Sequence, residues 1–211
     1  MKFINKMKKN ILLMIALIIF FMSGFVFCAE PADILTYGYR YFVPFGSNKT
    51  ADYNELKKRI IGRYGDFRKS NVPGHKHSGI DLEGKYNEPV YPIGDGTVTH
   101  IFRSFPHKTI YIRHNDSRGK PFYSAYVHVT DIKVRTGDRV TKDTVVARIF
   151  NEEELKSSNF GTPPHLHFEI RHNIDDNGTA SYKSMNIDEL NKYCIDPLIF
   201  FKKALNGRRM P

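Results

Sequence analysis

The chain has 211 residues, of which 41% are hydrophobic and 13% aromatic, and its formal net charge is +10. This length accommodates one compact domain with extensions, and the apolar content is sufficient to bury a core, which excludes a largely disordered protein. Cys28 and Cys194 are the only cysteines. A small fold held together by several disulfides is therefore excluded as well.

The N-terminus predicts an export signal. Residues 1–10 carry four lysines and no acidic residue, and residues 11–27 are apolar at all but two positions. The apolar run is slightly longer than a signal-peptide core of about 7–15 residues and lies at the short limit of a membrane span of about 17–25 residues. Residues 1–28 are thus a cleaved signal peptide, an uncleaved membrane anchor, or a signal that is followed by a lipid-modified Cys28 at the mature N-terminus. Each alternative places the protein in the cell envelope, as a periplasmic, extracellular or membrane-anchored protein.

The exported part remains basic, because subtracting the four lysines of residues 1–28 from +10 leaves +6. Outside the cytoplasm such a charge attracts anionic glycans and cell-wall polymers. Nucleic acid is not an expected partner there. The charge indicates non-specific attraction and predicts neither a fold nor a reaction.

Residues 29–62 are predicted to form an N-terminal extension that contains one short helix. Between residues 51 and 63, apolar side chains recur at helical spacing with basic residues between them, and glycines end the pattern. The apolar positions of this predicted helix are Tyr53, Leu56, Ile60 and Ile61.

The rest of the chain is predicted to be mainly β. Between Ser78 and Arg171, six short β-branched and aromatic runs are separated by turns rich in Gly, Pro, Asn and Asp. Their close spacing favours antiparallel hairpins over helical crossovers. A polar loop follows, and a helix is predicted from Asp196 to Leu205. The expected fold is an antiparallel β-sheet with short flanking helices.

The segment HLHFEIR, residues 165–171, alternates polar and apolar side chains. As a strand it places its apolar residues on one face, where they would pack into the core. The opposite face would present both imidazoles to a groove. Taken alone, such a pair is equally compatible with a metal site and with an ordinary polar surface. The four polar residues of that face are His165, His167, Glu169 and Arg171.

A second polar segment, GHKHSGIDLEG, contains His77 and Asp81 with three residues between them. An imidazole nitrogen and a carboxylate oxygen at this separation suit a tetrahedral zinc ion, whose catalytic sites use three protein ligands and leave a fourth position for water. The motif is short. Alone it is also compatible with a polar loop that enters a strand.

Taken in chain order, HSGIDL, YVHV and HLHFEIR resemble the HxGxD, YxH and HLHFE motifs of the lysostaphin-like zinc endopeptidases, the M23 family. The resemblance covers about residues 60–200 and implies an M23-type peptidase domain at residues 63–205, built around an antiparallel β-sheet groove. One region departs from the family pattern, since NEEELKSSNFGTPPHLH stands where many members have a glycine-rich stretch. Because this loop would border the groove, the departure bears on specificity more than on catalysis.

The resemblance implies a site for one zinc ion. Its ligands would be His77, Asp81 and His167, and its catalytic pair would be His165 and His128. In the family, such unligated histidines polarise or deprotonate the metal-bound water and stabilise the oxyanion. The sequence does not decide which of the two histidines does which.

The remaining aromatic and histidine side chains have weaker predictions. Tyr126 lies two residues from His128 on a predicted strand, so the two side chains would share a face, and Tyr126 is assigned to substrate binding with core packing as the equal alternative. His75 does not fit the family spacing and is predicted not to be a ligand. Local packing or bonding is predicted for His114, and a solvated or structural position for His100, His107 and His172.

The function implied by the resemblance is zinc-dependent hydrolysis of peptide bonds in bacterial peptidoglycan, in cell-wall remodelling or lysis. A D-alanyl-D-alanine carboxypeptidase of the related zinc fold class is disfavoured. Its first two ligands usually stand six residues apart and an ExxH precedes its last motif, and neither feature is present. Some family members have lost metal ligands and activate other wall hydrolases instead. The complete set of ligands and catalytic histidines in this chain favours an enzyme over such a non-catalytic module.

Overall fold

The structure is a computed structural model, and the parts of the chain that it describes all lie within one compact unit, Ile34–Pro211. The predicted export segment and most of the predicted extension lie outside the described residues. Among those that are described, no helix has both the length and the apolar character needed to cross a bilayer. The structure describes residue 44 and residues 53–69, 73–104, 107–116, 119–157, 163–175 and 183–206.

The described residues form four helices and eleven strands, and most of the strands are short. In chain order these elements are α1 (Tyr53–Lys58), β1 (Ile60–Gly62), β2 (Ile80–Glu83), β3 (Pro89–Val90), β4 (Gly96–Phe102), β5 (Thr109–Asn115), β6 (Pro121–Val127), β7 (Val129–Thr130), β8 (Arg139–Val140), β9 (Ala147–Ile149), α2 (Glu152–Ser157), β10 (His165–Arg171), α3 (Ile187–Asn191), β11 (Cys194–Ile195) and α4 (Pro197–Asn206).

Two antiparallel sheets organise the domain. The larger sheet has the strand order β1-β2-β10-β6-β5-β4-β8, with β11 paired to β10, and the smaller has the order β3-β9-β7. Strand β10 therefore lies between β2 and β6, which come from distant parts of the sequence. The prediction of a mainly β, antiparallel fold with short helices is confirmed.

Strand β10 separates the hydrophobic core from the polar side of the sheet. Leu166, Phe168 and Ile170 are fully buried in the core, and the Phe168 ring packs 5.6 Å from that of Phe201 in α4. Burial of each such side chain stabilises the fold by about 1.5–3 kcal/mol. The alternation predicted from HLHFEIR is thus present. The polar face is also covered, because every residue of β10 is buried.

The N-terminal helix is shorter than its pattern predicts. It ends at Lys58, and Ile60 begins strand β1, where it pairs with Leu82. β-branched residues fit the pleated edge of a sheet better than a helix. The two isoleucines of this pattern therefore extend the sheet, while Leu56 packs the helix into the core.

Two other helices are explained by their caps. The predicted C-terminal helix is observed as α4, which begins at Pro197. Asp196 caps its N-terminus, since the Leu198 N–H donates to Asp196 Oδ1 at 2.8 Å. Helix α2 was not predicted. Its signal is a capping box, in which the Glu154 N–H donates to Asn151 Oδ1 at 2.8 Å and Glu154 accepts from the Asn151 N–H.

Candidate metal centre

Three side chains from the two polar motifs meet between β2 and β10. Asp81 of β2 lies directly opposite His167 of β10 in the ladder, so both side chains point to the same side of the sheet. His77 approaches from the segment before β2. Its Nε2 lies 2.8 Å from His167 Nδ1 and 3.0 Å from Asp81 Oδ1, and the last two atoms are also 3.0 Å apart. The three atoms form a nearly equilateral triangle.

The hydrogen bonds behind the triangle fix the tautomers of both imidazoles. His77 Nδ1 donates to the carbonyl oxygen of Arg63 at 2.8 Å, and His167 Nε2 donates to Glu169 Oε1 at 3.0 Å. In the neutral rings, His77 Nε2 and His167 Nδ1 are then left as lone-pair acceptors. Both acceptors face the carboxylate oxygen of Asp81.

Three acceptor atoms this close together, in buried residues, require a cation among them. The triangle is only slightly tighter than the donor separation of ~3.3 Å that tetrahedral bonds of about 2.0–2.1 Å imply. In the described part of the chain, His77, Asp81 and His167 form a group able to hold a metal ion. The donor set therefore fits a small divalent metal.

The electrostatics of the cluster agree with this requirement. Burial would raise the pKa of Asp81, but hydrogen bonds from His167 and His77 outweigh it and hold that pKa far below its usual range. Burial would lower the pKa of His167, but its hydrogen bonds to Asp81 and Glu169 outweigh it and raise that pKa to about 9. The cluster thus attracts one positive charge, for which a proton and a metal ion compete.

A buried chain of polar groups orients His167 from behind. Glu169 accepts from His167 and from the Ser78 hydroxyl, and Arg171 Nη1 donates to Glu169 Oε2 at 2.6 Å. Burial would raise the pKa of Glu169, but the Arg171 charge and the His167 hydrogen bond hold it below its usual range. Glu169 therefore acts as a carboxylate that fixes the ring of His167.

His165 and His128 lie beside the cluster without joining it. His165 Nδ1 donates to the Pro163 carbonyl oxygen at 2.9 Å, and its Nε2 lies 4.0 Å from Asp81 Oδ1. Burial lowers the pKa of His165. The His128 ring is 5.0 Å from that of His165 and 6.1 Å from that of His167, measured between centroids. All five predicted residues are thus brought together in one place.

The family model of Peptidase family M23 matches residues 75–181, more than half of the chain. The chain belongs to peptidase family M23. Among curated proteins, it is 26% identical over 163 residues to the glycyl-glycine endopeptidase ALE-1 of Staphylococcus capitis. That match covers 76% of this chain but only 38% of the length of the relative.

Solved structures of the antimicrobial peptidase lysostaphin from Staphylococcus simulans share the fold. The whole protein matches with a TM-score of 0.52 and 21% identity, over 77% of this chain and 56% of lysostaphin. Its catalytic domain matches with a TM-score of 0.51 and 21% identity, over 72% of this chain and 98% of that domain. The lysostaphin-like architecture expected from the motifs is therefore confirmed.

One predicted site residue of this M23 peptidase lies elsewhere. Tyr126 is fully buried, its hydroxyl accepts from the Ile93 N–H at 2.9 Å, and its ring packs 5.4 Å from that of Phe168. The assignment of Tyr126 to substrate binding is therefore wrong. The prediction failed because it assumed a regular strand from Tyr126 to His128. His128 has a φ of 64°, which interrupts the alternation of side chains, so Tyr126 and His128 point to opposite sides of the sheet.

The structure also places the other histidines. His75 is buried, and it is not part of the group formed by His77, Asp81 and His167. His114 is bonded locally, through Nδ1 to the Asp95 carbonyl oxygen and through Nε2 to Ser124, each at 2.8 Å. His107 has a less ordinary position, because its ring lies 5.5 Å from that of His128. The sequence gives no sign of that proximity.

The residues that hold the ligands were not predicted from the sequence. Glu169 and Arg171 stand on the predicted polar face of β10. The alternation of side chains along the strand, which puts them on the same face as His167, was the signal that could have identified them. The roles of the Arg63 and Pro163 carbonyl oxygens have no sequence signal, because any residue supplies a carbonyl. These contacts depend on how distant segments meet.

Proposed function

We propose that this chain is a zinc-dependent endopeptidase that hydrolyses peptide bonds of bacterial peptidoglycan. The observation that carries the proposal is the group of two imidazole nitrogens and one carboxylate oxygen, about 3 Å apart, with a third imidazole beside it. Such a set supplies three metal ligands and a separate base.

Zinc is the metal that the donor set favours. Calcium and magnesium prefer oxygen ligands, whereas two imidazoles and one carboxylate are a common set for catalytic zinc. When bound, zinc would lower the pKa of a bound water to about 7 and polarise the scissile carbonyl. The proposed ligand atoms are His77 Nε2, Asp81 Oδ1 and His167 Nδ1.

His165 is the proposed general base. Its Nδ1 proton is committed to the Pro163 carbonyl oxygen, so Nε2 is the atom able to accept a proton, and it faces the metal cluster. The lowered pKa of His165 keeps it neutral near pH 7. His128, whose ring lies 5.0 Å from that of His165 and 6.1 Å from that of His167, is the proposed donor to the oxyanion that forms on the peptide carbonyl.

Peptidoglycan is proposed as the substrate on four grounds. The chain is an M23 peptidase, and one curated relative is named for cleaving glycyl-glycine bonds. The predicted export signal would deliver the protein to the cell envelope, and its basic charge suits an anionic wall. A glycyl-glycine bond of a wall cross-bridge is therefore the first bond to test, and a stem-peptide bond the second.

A non-catalytic module that activates other wall hydrolases is the alternative. Such a module has no need to keep a base oriented beside intact ligands. The hydrogen bond from His165 to Pro163 and the carboxylate behind His167 would then have no use. The enzyme is the better explanation.

The test combines metal analysis with wall digestion. The purified chain should contain one zinc ion and release peptides from purified peptidoglycan, with the cleaved bond identified by mass spectrometry. His167→Ala should lose zinc, whereas His165→Ala should keep zinc and lose turnover. A His167→Ala protein that retains one equivalent of zinc, or a zinc-loaded chain that leaves the wall intact, would refute the proposal.

A further inference from the structure

The segment just before the first metal motif braces both ligands of that motif. The Arg63 carbonyl oxygen accepts from His77 Nδ1 at 2.8 Å, and five residues later the Arg68 guanidinium reaches Asp81. Arg68 Nη2 lies 2.5 Å from Asp81 Oδ2. The two oxygens of Asp81 are thus divided, Oδ2 to Arg68 and Oδ1 to the metal cluster.

The backbone fixes the position of this brace. The Gly65 N–H donates to the His77 carbonyl oxygen at 2.8 Å, and the His77 N–H donates to the Asp66 carbonyl oxygen at 2.9 Å. The Arg68 N–H donates to the His75 carbonyl oxygen at 2.9 Å. Arg68 is therefore held in register with His77, so its guanidinium is directed at Asp81 by the local fold.

Gly62 leaves the space that this contact needs. It lies opposite Asp81 in the pairing of β1 with β2. A Cβ at this position would overlap Asp81 Oδ2 and lie 2.8 Å from Arg68 Nη2. An alanine at this position would therefore displace the side chains of the ion pair.

We infer that Arg68 is a positioning residue that keeps Asp81 a one-oxygen ligand, and that Gly62 is required to admit it. The inference rests on the proposed metal site. A carboxylate binds metals through one or both oxygens, and a second bond would fill a position that a catalytic site leaves to water. Arg68 prevents this because Asp81 Oδ2 is already engaged in a charge-assisted hydrogen bond.

The same chain offers a matched control. Arg59 pairs with Glu88 at 3.1 Å, and the two side chains are 40% and 12% exposed, close to the 31% and 11% of Arg68 and Asp81. Partly exposed ion pairs of this kind contribute little to folding. Loss of either arginine should therefore have a similar small effect on stability, and only Arg68 should affect the metal.

The experiment uses the full chain with Arg68→Gln, Arg68→Lys, Gly62→Ala and, as control, Arg59→Gln. Zinc affinity is measured by chelator competition, and coordination number by the visible absorption of bound Co²⁺, which is strong for four-coordinate and weak for higher-coordinate ions. Arg68→Gln and Gly62→Ala should lower zinc affinity by about 10- to 100-fold and weaken the Co²⁺ absorption. Arg68→Lys should recover part of both, and Arg59→Gln should match the unchanged chain.

Unchanged zinc affinity and Co²⁺ absorption in Arg68→Gln and Gly62→Ala would overturn the inference and leave the proposed function intact. An equal loss in Arg59→Gln would also overturn it, since the effect would then be one of general stability. Should Arg68→Gln fail to fold, Arg68→Lys and Gly62→Ala carry the same comparison. An unchanged chain that binds neither metal would refute the proposed function itself.

Discussion

Buried His114 makes the stability of the domain depend on pH in a way that the structure quantifies. The side chain lies in β5, bonded to Asp95 and Ser124, and its ring stacks 5.1 Å from that of Phe122. Burial lowers the pKa of His114 to about 4. The unfolded chain takes up the proton near pH 6.5, so the stabilisation is complete above that pH and is lost as the pH falls towards 4. A difference of ~2.5 pKa units corresponds to about 3 kcal/mol.

The measurement is urea unfolding of the full chain at pH 7.5 and 4.5, with a chelator present so that metal release does not contribute. His114→Asn removes the titrating group and keeps a donor for the Asp95 carbonyl oxygen. The loss of unfolding free energy between the two pH values should be about 2–3 kcal/mol smaller in this variant than in the unchanged chain. His100→Asn, at an exposed position, is the control and should leave the loss unchanged. An equal loss in all three proteins would refute the reasoning.

Three further predictions concern the site and the strand that carries it. Phe168→Ala should lower the free energy of unfolding by about 3–5 kcal/mol in urea titrations, since it empties a core position; a loss below 1 kcal/mol would contradict the packing described. Gly79→Ala should prevent folding or shift the thermal midpoint strongly downward, because a Cβ there would overlap the Phe168 carbonyl oxygen, and a variant as stable as the unchanged chain would show that this approach is not close. Glu169→Gln should weaken zinc binding by about 10- to 100-fold in chelator competition, whereas an unchanged affinity would mean that His167 does not need its carboxylate partner.

The strands of the sheet could be predicted because the sequence patterns that indicate them lie within each strand. Alternation in HLHFEIR and short β-branched runs between turns follow from side-chain period and propensity, which each segment carries by itself. Residues 51–63 show the limit of such reasoning. Ile60 and Ile61 fit a helical period, but the pairing of Ile60 with Leu82 places them in a strand, and no window around residue 60 contains that partner.

The site was predictable as far as the sequence motifs and the alternation of side chains along a strand define it. His77, Asp81 and His167 stand together as the motifs indicated, and their role as zinc ligands stays a prediction. Tyr126 shows where the alternation rule fails. The rule assumes a regular strand, whereas His128 adopts a left-handed backbone conformation. Arg68 could not be predicted, because it belongs to none of the three motifs and only the fold brings it to Asp81.

The hydrogen bond from His165 to Pro163 has a consequence for how such a protein can change over time. The carbonyl that holds the proposed base belongs to the segment leading into β10, in the region where this chain departs from the glycine-rich pattern of many relatives. A mutation that reshapes this segment would also shift the imidazole of His165, the proposed base. Under the proposed function, substrate range and turnover would therefore change together, and new specificities should arise more readily from segments that do not hold His165.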